Sequence, residues 1–458
     1  MGTTMQNTSK KHPPGLYLLF FTEMWERFSY YGMRGILVLY LTTELLNGGL
    51  GMSNTTAMSI YGFYTGAVYI APLIGGWLSD MYIGKRHAIT IGGICMALGN
   101  FSLFLFQERW AFFLGLALLI IGNGFFKPNI SSIVGDLYDE RDPKRDAAFT
   151  IFYMGINIGA FLAPLVIAVI TDKIMIDTAA NGSIIYGYKW GFLASAIGMI
   201  VGQIIYNTLG KKYLGDLGMK PTGRAVTTNG EATNKPLTKK EKERTFVILV
   251  LACFVVFFWA GFEQAGSSLT LYTRDFVDRT IFGFEIPTAW FQSVNPLFIV
   301  LLAPVVSMLW TRLGRSKRGD FSSPTKMALG MILLGSGFMI LLIAILQTGN
   351  DANNIVTKAN IVFIVLTYLF HTLGELFLSP VGLSTVTRLA PLKLASLLMG
   401  VWLASSGVAN ILAGQLARFT QSLGYFEVFA VIGGLAIVLG LILLAFSKKL
   451  TKMMHLED

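Results

Sequence analysis

The stretch Gly76-Trp-Leu-Ser-Asp80-Met-Tyr-Ile-Gly84-Lys85-Arg86 marks the end of one hydrophobic segment and the start of the next. Long apolar runs flank it on both sides, and the break itself holds an acid, a glycine and two adjacent cations. Gly84 permits a tight turn between two helices. Adjacent Lys and Arg are typical of the cytoplasmic end of a membrane span. The stretch therefore predicts two membrane helices joined by a short basic turn.

The same hydrophobic character extends through the whole chain. Of its 458 residues, 53% are hydrophobic and 14% are charged, and the mean hydropathy of +0.60 excludes a water-soluble domain. Because the apolar runs are long and continuous, they predict helices rather than the strands of a membrane barrel. With about 20 apolar residues needed to cross a bilayer, the sequence predicts twelve spans. These are residues 15–46, 53–80, 84–106, 110–136, 147–171, 187–209, 246–273, 285–312, 324–347, 357–389, 394–419 and 425–448.

The net charge of +10 predicts the orientation of the chain rather than nucleic-acid binding. Lys and Arg are concentrated in every second connection, whereas the alternate connections hold few cations, chiefly Arg109, Lys173, Arg274, Arg279 and Lys358. Residues 1–14 show no cleavable signal. The positive-inside rule therefore predicts a multi-pass protein with both termini in the cytoplasm. The basic connections contain Lys10 and Lys11, Lys85 and Arg86, Arg141 to Arg145, Lys211 to Arg244, Arg312 to Arg318, Arg388 and Lys393, and Lys448 to Lys452.

A single long polar stretch, residues 210–244, divides the spans into two sets of six. It predicts an N-terminal bundle at 1–209, a cytoplasmic linker at 210–244 and a C-terminal bundle at 245–458. An internal repeat supports this division. Gly122-Asn-Gly-Phe-Phe-Lys-Pro-Asn-Ile-Ser-Ser132 aligns with Gly374-Glu-Leu-Phe-Leu-Ser-Pro-Val-Gly-Leu-Ser384, and Lys85-Arg86 aligns with Lys317-Arg318. Duplicated halves with a central substrate site are typical of transporters that rock between two states.

Charged residues lie within the predicted spans. Glu23, Glu26, Arg27, Tyr30 and Arg34 share one face of the first helix, because their spacings follow the helical period. With Lys127, Glu263 and Glu375 in other spans, seven unpaired charges would cost roughly 20 kcal/mol on membrane-insertion scales. They are therefore expected to face the interior as pairs, either as a fixed ion-pair scaffold or as groups that bind and release protons.

Several motifs resemble known transporter signatures. The stretch from Gly76 to Arg86 resembles the major facilitator motif Gly-x-Leu-Ser/Ala-Asp-x-x-x-Gly-Lys/Arg-Lys/Arg. Glu23-Met-Trp-Glu-Arg-Phe-Ser-Tyr-Tyr31 looks like Glu-x-x-Glu-Arg-Phe-x-Tyr-Tyr of the proton-coupled oligopeptide transporter family. Phe152-Tyr-Met-Gly-Ile-Asn-Ile-Gly159, Phe258-Trp-Ala-Gly-Phe-Glu263, Gly374 to Pro380 and Trp402 match other family positions. The resemblance implies an all-α polytopic membrane protein with the major facilitator fold, that is, two pseudo-symmetric six-helix bundles.

Two departures from the family pattern are informative. The polar stretch 210–244 leaves no room for the two additional helices that many bacterial members carry, so twelve spans are expected rather than fourteen. Animal members have a histidine in the second helix, whereas residues 53–80 contain none. Proton coupling is therefore expected to depend on carboxylates.

The resemblance also implies roles for the buried charges. Glu26 and Glu263 are the leading proton sites, with Glu23 and Arg27 completing the proton-coupling set. Glu263 is expected to pair with Arg34, and Lys127 is expected to lie opposite Glu375 as a second latch. These four residues are the predicted gate residues, together with Asp80 at the inner end of the second span.

A di- or tripeptide is a zwitterion, so its receptor needs a cationic end and an anionic end. Arg27, Arg34 and Lys127 are expected to bind the carboxylate, while Glu375, Asn157 and Asn295 receive the ammonium group. Aromatic residues are expected to line side-chain pockets, although packing is the alternative role for each. The full predicted substrate set is Arg27, Tyr30, Arg34, Tyr69, Lys127, Asn157, Trp259, Asn295, Glu375, Ser379 and Trp402, with Tyr31 and Phe262 nearby.

These observations predict a plasma-membrane symporter that imports di- and tripeptides with protons and needs no bound cofactor or metal. One chain in the lipid bilayer is sufficient for this function. Cys95 and Cys253 are interpreted as packing residues, and His12, His87, His371 and His455 as non-catalytic. One alternative is transport of a small anion such as nitrate, which the negative charge of Glu375 disfavours. The others are a non-transporting peptide sensor and a membrane enzyme. For an enzyme, the sequence shows no catalytic constellation.

Overall fold

The computed structural model describes residues 12–139, 142, 144–221, 237–316, 319–349, 355, 357–391 and 394–455, apart from the side chains of Asp146, Leu383 and Ser396. Helices make up most of this part of the chain. They are α1 (Pro14–Thr42), α2 (Asn54–Leu78), α3 (Lys85–Leu105), α4 (Arg109–Asp136), α5 (Lys144–Val169), α6 (Tyr188–Leu214), α7 (Lys239–Phe262), α8 (Ser268–Phe276), α9 (Val294–Gly314), α10 (Ser323–Thr348), α11 (Ile361–Leu389), α12 (Ala395–Arg418) and α13 (Tyr425–Met454).

Short strand pairs connect some of these helices. β1 (Asp177–Thr178) pairs antiparallel with β2 (Ile184–Ile185). β3 (Val277–Asp278) pairs parallel with β6 (Ala359–Asn360), and β4 (Thr280–Ile281) pairs antiparallel with β5 (Phe284–Glu285). Phe282 and Gly283 turn the β4–β5 hairpin with φ of 49° and 80°.

The predicted all-α membrane fold is confirmed. In the described part of the chain, eleven helical segments are long and apolar enough to cross a membrane. The 29-residue helix α1 adds the twelfth crossing, although Glu23, Glu26, Arg27 and Arg34 make it more polar than the others. A 3₁₀ turn at Glu263–Gly266 joins α7 to α8, so the two form predicted span 7. Spans 8 to 12 are then α9 to α13.

Helix ends near the predicted linker extend beyond the expected spans. Helix α6 continues to Leu214, and α7 begins at Lys239 after Thr238, which forms a capping box with Glu241. Both helices therefore reach into the predicted linker at 210–244, whose middle, residues 222–236, lies outside the described residues. The basic residues Lys10, Lys11, Arg141, Lys317, Arg318 and Lys393 also lie outside them.

The helices form two halves with separate hydrophobic cores. One core is built mainly from residues between Leu16 and Leu214, and the other from residues between Val247 and Met454. In the first half α1 packs against α5 and α6, while in the second α10 packs against α11 and α13. We refer to α1–α6 as the first half and to α7–α13 as the second half.

The ends of the described helices and the loops between them lie at two opposite faces of the bundle. The start of α1 lies beside the end of α6, because a Cβ added to Gly15 would lie 2.9 Å from a Leu214 side-chain atom. The start of α7 lies beside the end of α13, because Arg244 Nε donates to Met454 O at 3.0 Å. We call this end the terminal face. The opposite end, where Arg274 Nη1 donates to Thr42 Oγ1 at 2.9 Å, is the distal face.

Candidate functional site

A cavity of about 310 Å³ lies between the two halves. This volume is at the lower end of the roughly 300–1,000 Å³ seen for small-molecule pockets. Its walls come from α1, α2, α4 and α5 on one side and from α7, α9 and α11 on the other. Predicted site residues that line it are Glu23, Arg27, Tyr31, Arg34, Tyr69, Lys127, Asn157, Trp259, Phe262, Glu263, Asn295, Glu375 and Ser379.

The α1 stripe forms a buried ion cluster around Arg27. The Arg27 guanidinium donates to both Glu26 oxygens, with Nη2 at 2.7 Å from Oε1, and its Nε lies 3.2 Å from Glu23 Oε1. Glu26 is fully buried, and Glu23 and Arg27 are 2% and 4% exposed. Two carboxylates therefore share one guanidinium, which leaves one excess negative charge in an almost completely buried cluster.

The two glutamates have different surroundings. The Asn123 amide of α4 lies against the far side of the cluster: in one orientation it donates to Glu26 at 3.4 Å, and in the other it accepts from Arg27 at 3.3 Å. Glu26 is absent from the cavity wall, whereas Glu23 lines it. Glu23 Oε2 has no hydrogen-bond partner among the described residues. Glu23 is thus the cavity-facing member of the pair.

The predicted pairing of Arg34 with Glu263 across the halves is confirmed. Arg34 Nη2 donates to Glu263 Oε2, and Arg34 Nε donates to the Tyr61 hydroxyl at 2.6 Å. Glu263 opens the 3₁₀ turn that separates α7 from α8, so its backbone leaves the regular helix where the charge is held. A Cβ at Gly266 would lie 1.6 Å from the Tyr61 hydroxyl oxygen, so the turn can approach α2 only because this residue is glycine.

Lys127 and Glu375 line the same cavity but do not pair with each other in this structure. Lys127 Nζ lies 4.4 Å from the centre of the Tyr69 ring, a cation–π contact within its own half. Glu375 Oε2 accepts from Asn295 Nδ2 at 2.9 Å, within the second half. The expected direct latch between these residues is therefore not formed here, because the cavity separates the helices that carry them. Each charge is instead held in place by a neighbour in its own half.

Two aromatic residues predicted to touch substrate lie off the cavity wall. Tyr30 is 5% exposed, and its ring packs under the Arg27 guanidinium. The Arg27 Cζ atom lies 5.1 Å from the centre of the Tyr30 ring. Trp402 is 8% exposed and packs against α11, where a Cβ at Gly382 would lie 2.4 Å from its ring. Their helical faces point into packing interfaces. In this structure, Tyr30 supports the ion cluster and Trp402 supports α11.

The cavity also contains residues that sequence reasoning did not select. Tyr153 and His371 each lie one turn before a predicted residue, Asn157 and Glu375, so their helical spacing carried a usable signal. Both ring nitrogens of His371 lack a hydrogen-bond partner among the described residues. Gln292 had no such signal because it comes from the 3₁₀ segment Thr288–Ser293 in a loop. The group is completed by Ser131, Ile156, Ala160, Ala265, Gly266, Pro296, Ile299 and Tyr368.

The segment Thr288–Ser293 closes the distal side of the cavity. Three of its side chains donate to backbone carbonyls of the first half: Trp290 Nε1 to Leu165 at 3.1 Å, Gln292 Nε2 to Gly35 at 3.3 Å, and Ser293 Oγ to Phe161 at 2.8 Å. Two of these carbonyls, those of Phe161 and Leu165, lie within one turn of Pro164 on α5. Together with the Arg34–Glu263 pair, these bonds hold the halves together on the distal side.

Asp80 lies away from the cavity, near the terminal face. It is an exposed residue in a π-helical turn, Ser79–Ile83, that ends α2. Ser79 Oγ in the same turn donates to Asn129 Oδ1 of α4 at 2.7 Å. Gly84 has φ of 85°, which glycine adopts readily, and a Cβ there would lie 2.6 Å from Met219 O. This motif therefore ties the ends of α2, α3, α4 and α6 together.

Comparisons with known proteins show which sequences and structures this chain resembles. The sequence pattern of the POT family matches residues 86–216 and 211–432. The chain is 37% identical to "Uncharacterized transporter YclF" of Bacillus subtilis over 97% of this chain and 95% of that protein. It is 31% identical to a "Di-/tripeptide transporter" of Lactococcus lactis subsp. cremoris over 98% and 99% of the two chains. A crystal structure of a mutant peptide transporter POT in complex with alafosfalin superposes with a TM-score of 0.86 at 35% identity, covering 97% and 96%.

Proposed function

This chain belongs to the POT family, and from that premise we propose that it is a proton-coupled symporter that imports di- and tripeptides. The observation that carries the proposal is a cavity between the two halves whose walls have opposite charges. The first half supplies Lys127 on α4, and the second half supplies Glu375 on α11, each held by a neighbour within its own half.

A peptide with free ends fits this arrangement electrostatically. Its carboxylate is attracted to Lys127, together with Arg27 and Arg34 of α1, and its ammonium group to Glu375. Asn295 already donates to one Glu375 oxygen, which fixes the carboxylate without neutralising it. Trp259 and Phe262, whose ring centres are 5.0 Å apart, offer an apolar surface that accepts side chains of many shapes. A small anion would instead be repelled by Glu375.

Proton coupling is assigned to the α1 cluster. Glu23 lines the cavity and has one oxygen without a hydrogen-bond partner among the described residues, and Glu26 lies behind it on the same guanidinium. A proton that enters from the cavity reaches Glu23 first, and Arg27 then has one carboxylate as a partner rather than two. Protonation thus changes the pairing of Arg27, which lies beside the expected position of the peptide carboxylate. The proton gradient supplies the energy, so no bound cofactor is required.

The cavity opens to the two faces alternately in this proposal. The distal side is closed by the Arg34–Glu263 pair and by the bonds from Thr288–Ser293, which must break for the cavity to open there. Lys127 and Glu375 are the predicted latch for the other side and are apart in this state. Because one chain provides both walls, a monomer is sufficient for transport.

Uptake into proteoliposomes tests the proposed function. Protein reconstituted into vesicles should accumulate labelled dialanine when the outside is made more acidic, and a proton ionophore should abolish the accumulation. Nitrate at the same concentration should not compete. If the protein binds dialanine but carries none across the membrane in either direction, the sensor alternative replaces transport.

The topology is proposed to place the terminal face in the cytoplasm. On a background without Cys95 and Cys253, a membrane-impermeant thiol reagent added to intact cells should label Phe282→Cys, because this hairpin tip is fully exposed on the distal side. It should miss Asp216→Cys, which is exposed beyond the end of α6. Permeabilised cells should show labelling of both variants. The opposite pattern in intact cells would reverse the orientation.

A further inference from the structure

A second cavity of about 630 Å³ lies outside the transport path, between α2 and α4. These helices touch near the terminal face, where a Cβ at Gly75 would lie 2.1 Å from Gly124 O. They diverge toward the distal face and leave a groove with Tyr64 and Leu116, both nearly buried, along its base. Because Phe63 and Phe113 on its rims are 56% and 52% exposed, the groove opens to the surface of the bundle rather than to its centre.

The groove has the length of one lipid chain. Its α2 wall runs from Thr55 to Ala67, and at 1.5 Å per helical residue this distance is about 18 Å. One leaflet of the hydrocarbon core is about 15 Å thick, half of the full 30 Å. The lining is apolar along most of this length, with Phe63, Ala67, Phe113 and Ala117 forming the walls.

The distal end of the groove is polar and cationic. Arg418, in the last turn of α12, lines it together with the hydroxyl residues Thr55, Thr56 and Ser59. The exposed Arg418 side chain gives one N–H to Gln415 at 2.8 Å, so other guanidinium N–H groups are available to a ligand. Arg109 is the first residue of α4 and lies one turn before Phe113 on the same helical face. The acidic residue Glu108 immediately precedes it.

We propose that this groove binds one phospholipid with an anionic headgroup. Its phosphate contacts Arg418 and the hydroxyl groups of the first turns of α2, and one acyl chain lies between α2 and α4. Arginine forms strong charge-assisted hydrogen bonds with phosphate, and the membrane supplies such lipids in contact with this surface. A second, purely structural role for Arg418, stabilising the negative end of α12, would give no preference among lipid headgroups.

The lipid would join the two halves. The walls of the groove belong to α2 and α4 of the first half, whereas Arg418 belongs to the second half. At this side the halves are in close contact, since a Cβ at Gly62 would lie 2.7 Å from Gly414 Cα on α12. A lipid bound in the groove therefore favours the state in which the distal side of the cavity is closed.

Native mass spectrometry of the purified, delipidated full chain tests the proposal. Phosphatidylglycerol is titrated against phosphatidylcholine with the same acyl chains. Both lipids carry the phosphate, but the choline cation of phosphatidylcholine offsets its charge beside Arg418, so we expect the first phosphatidylglycerol to bind about tenfold more tightly. Arg418→Gln should reduce this preference to about twofold or less, and Ala117→Phe, which fills the groove, should weaken both lipids. Lys358→Gln, which removes another exposed cation, should leave the preference unchanged.

Thermal unfolding of each variant in detergent shows whether the fold is retained, which is expected because Arg418, Ala117 and Lys358 are exposed. Equal binding of the two lipids by the unaltered protein would overturn the proposal. An equal effect of Arg418→Gln and Lys358→Gln would also overturn it, since any preference would then reflect overall charge rather than this groove. None of these outcomes depends on whether the protein transports peptides.

Discussion

Replacement of Glu375 by glutamine should weaken the binding of peptides with a free amino terminus by roughly ten- to a hundredfold, while N-acetylated peptides lose little. The amide keeps the shape of the side chain but removes the negative charge that faces the cavity. Loss of one charge-assisted hydrogen bond corresponds to about 1.5–3 kcal/mol, and each 1.4 kcal/mol is about tenfold in affinity. Asn295, now 2.9 Å from Glu375 Oε2, remains available to position the new side chain.

Lys127→Ala should produce the mirror-image result. Peptides with a free carboxylate should lose roughly ten- to a hundredfold in affinity, whereas peptides with a C-terminal amide should be nearly unaffected. Lys127 is held over Tyr69 and makes no ion pair with a described residue, so its removal leaves no carboxylate without its partner. Competition against labelled dialanine measures both variants with the same four unlabelled ligands: free, N-acetylated, C-amidated and doubly blocked dialanine.

The blocked peptides distinguish recognition from gating. A variant that merely disturbs the fold or the movement of the halves should weaken all four ligands by the same factor. Such equal losses in both variants would leave Lys127 and Glu375 as gate residues and would remove them from the proposed binding site. Ser379→Ala, on the same cavity wall as Glu375 but without a charge, is a matched control that should not discriminate between free and acetylated peptides.

Glu26→Gln should abolish proton-driven accumulation of peptide while leaving exchange of peptide without a gradient within about threefold of the unaltered protein. A neutral amide can keep a hydrogen bond from Arg27, which now holds Glu26 through two contacts, but it cannot gain or lose a proton. Accumulation is measured in vesicles with an acidic exterior, and exchange in vesicles preloaded with unlabelled peptide at equal pH on both sides.

Two further variants, Glu23→Gln and Glu263→Gln, help to locate the coupling site and to separate a coupling defect from a gating defect. If Glu26→Gln still concentrates peptide, Glu26 is not the coupling site, and Glu23, which lines the cavity and has one oxygen without a hydrogen-bond partner among the described residues, is the next candidate. Glu263→Gln should behave differently, because it removes the negative charge that pairs with Arg34 across the two halves on the closed side. We expect it to change exchange as well as accumulation, which separates a gating defect from a coupling defect.

Much of the fold follows from local sequence. Membrane insertion requires each span to satisfy its own backbone hydrogen bonds, so a continuous apolar run of sufficient length is a helix whatever lies beside it. The predicted limits of α3 and α4 therefore agree with the structure within a residue or so. The ends near the linker, at Leu214 and Lys239, are less predictable because they extend into water, where capping and charge rather than hydrophobicity decide the boundary.

The sequence also identified which charges must face inward. Burial of Glu23, Arg27 and Arg34 in a membrane is unfavourable unless they are paired, and the helical period put them on one face of α1. Resemblance to a known family added the Arg34–Glu263 pairing, which the structure confirms. These statements needed only composition, spacing and motif, because they concern what each helix must hide from lipid.

Tertiary packing decided what spacing could not. A helix in a bundle has several inward directions, and only its contacts determine which one meets the cavity; Tyr30 and Trp402 point into packing interfaces, whereas Tyr153 and His371 reach the cavity. Contacts between halves depend further on the conformational state, so Lys127 lies over Tyr69 rather than beside Glu375. Gln292 reaches the site from a 3₁₀ segment in a loop, which is held by carbonyls of the other half that no sequence pattern reveals.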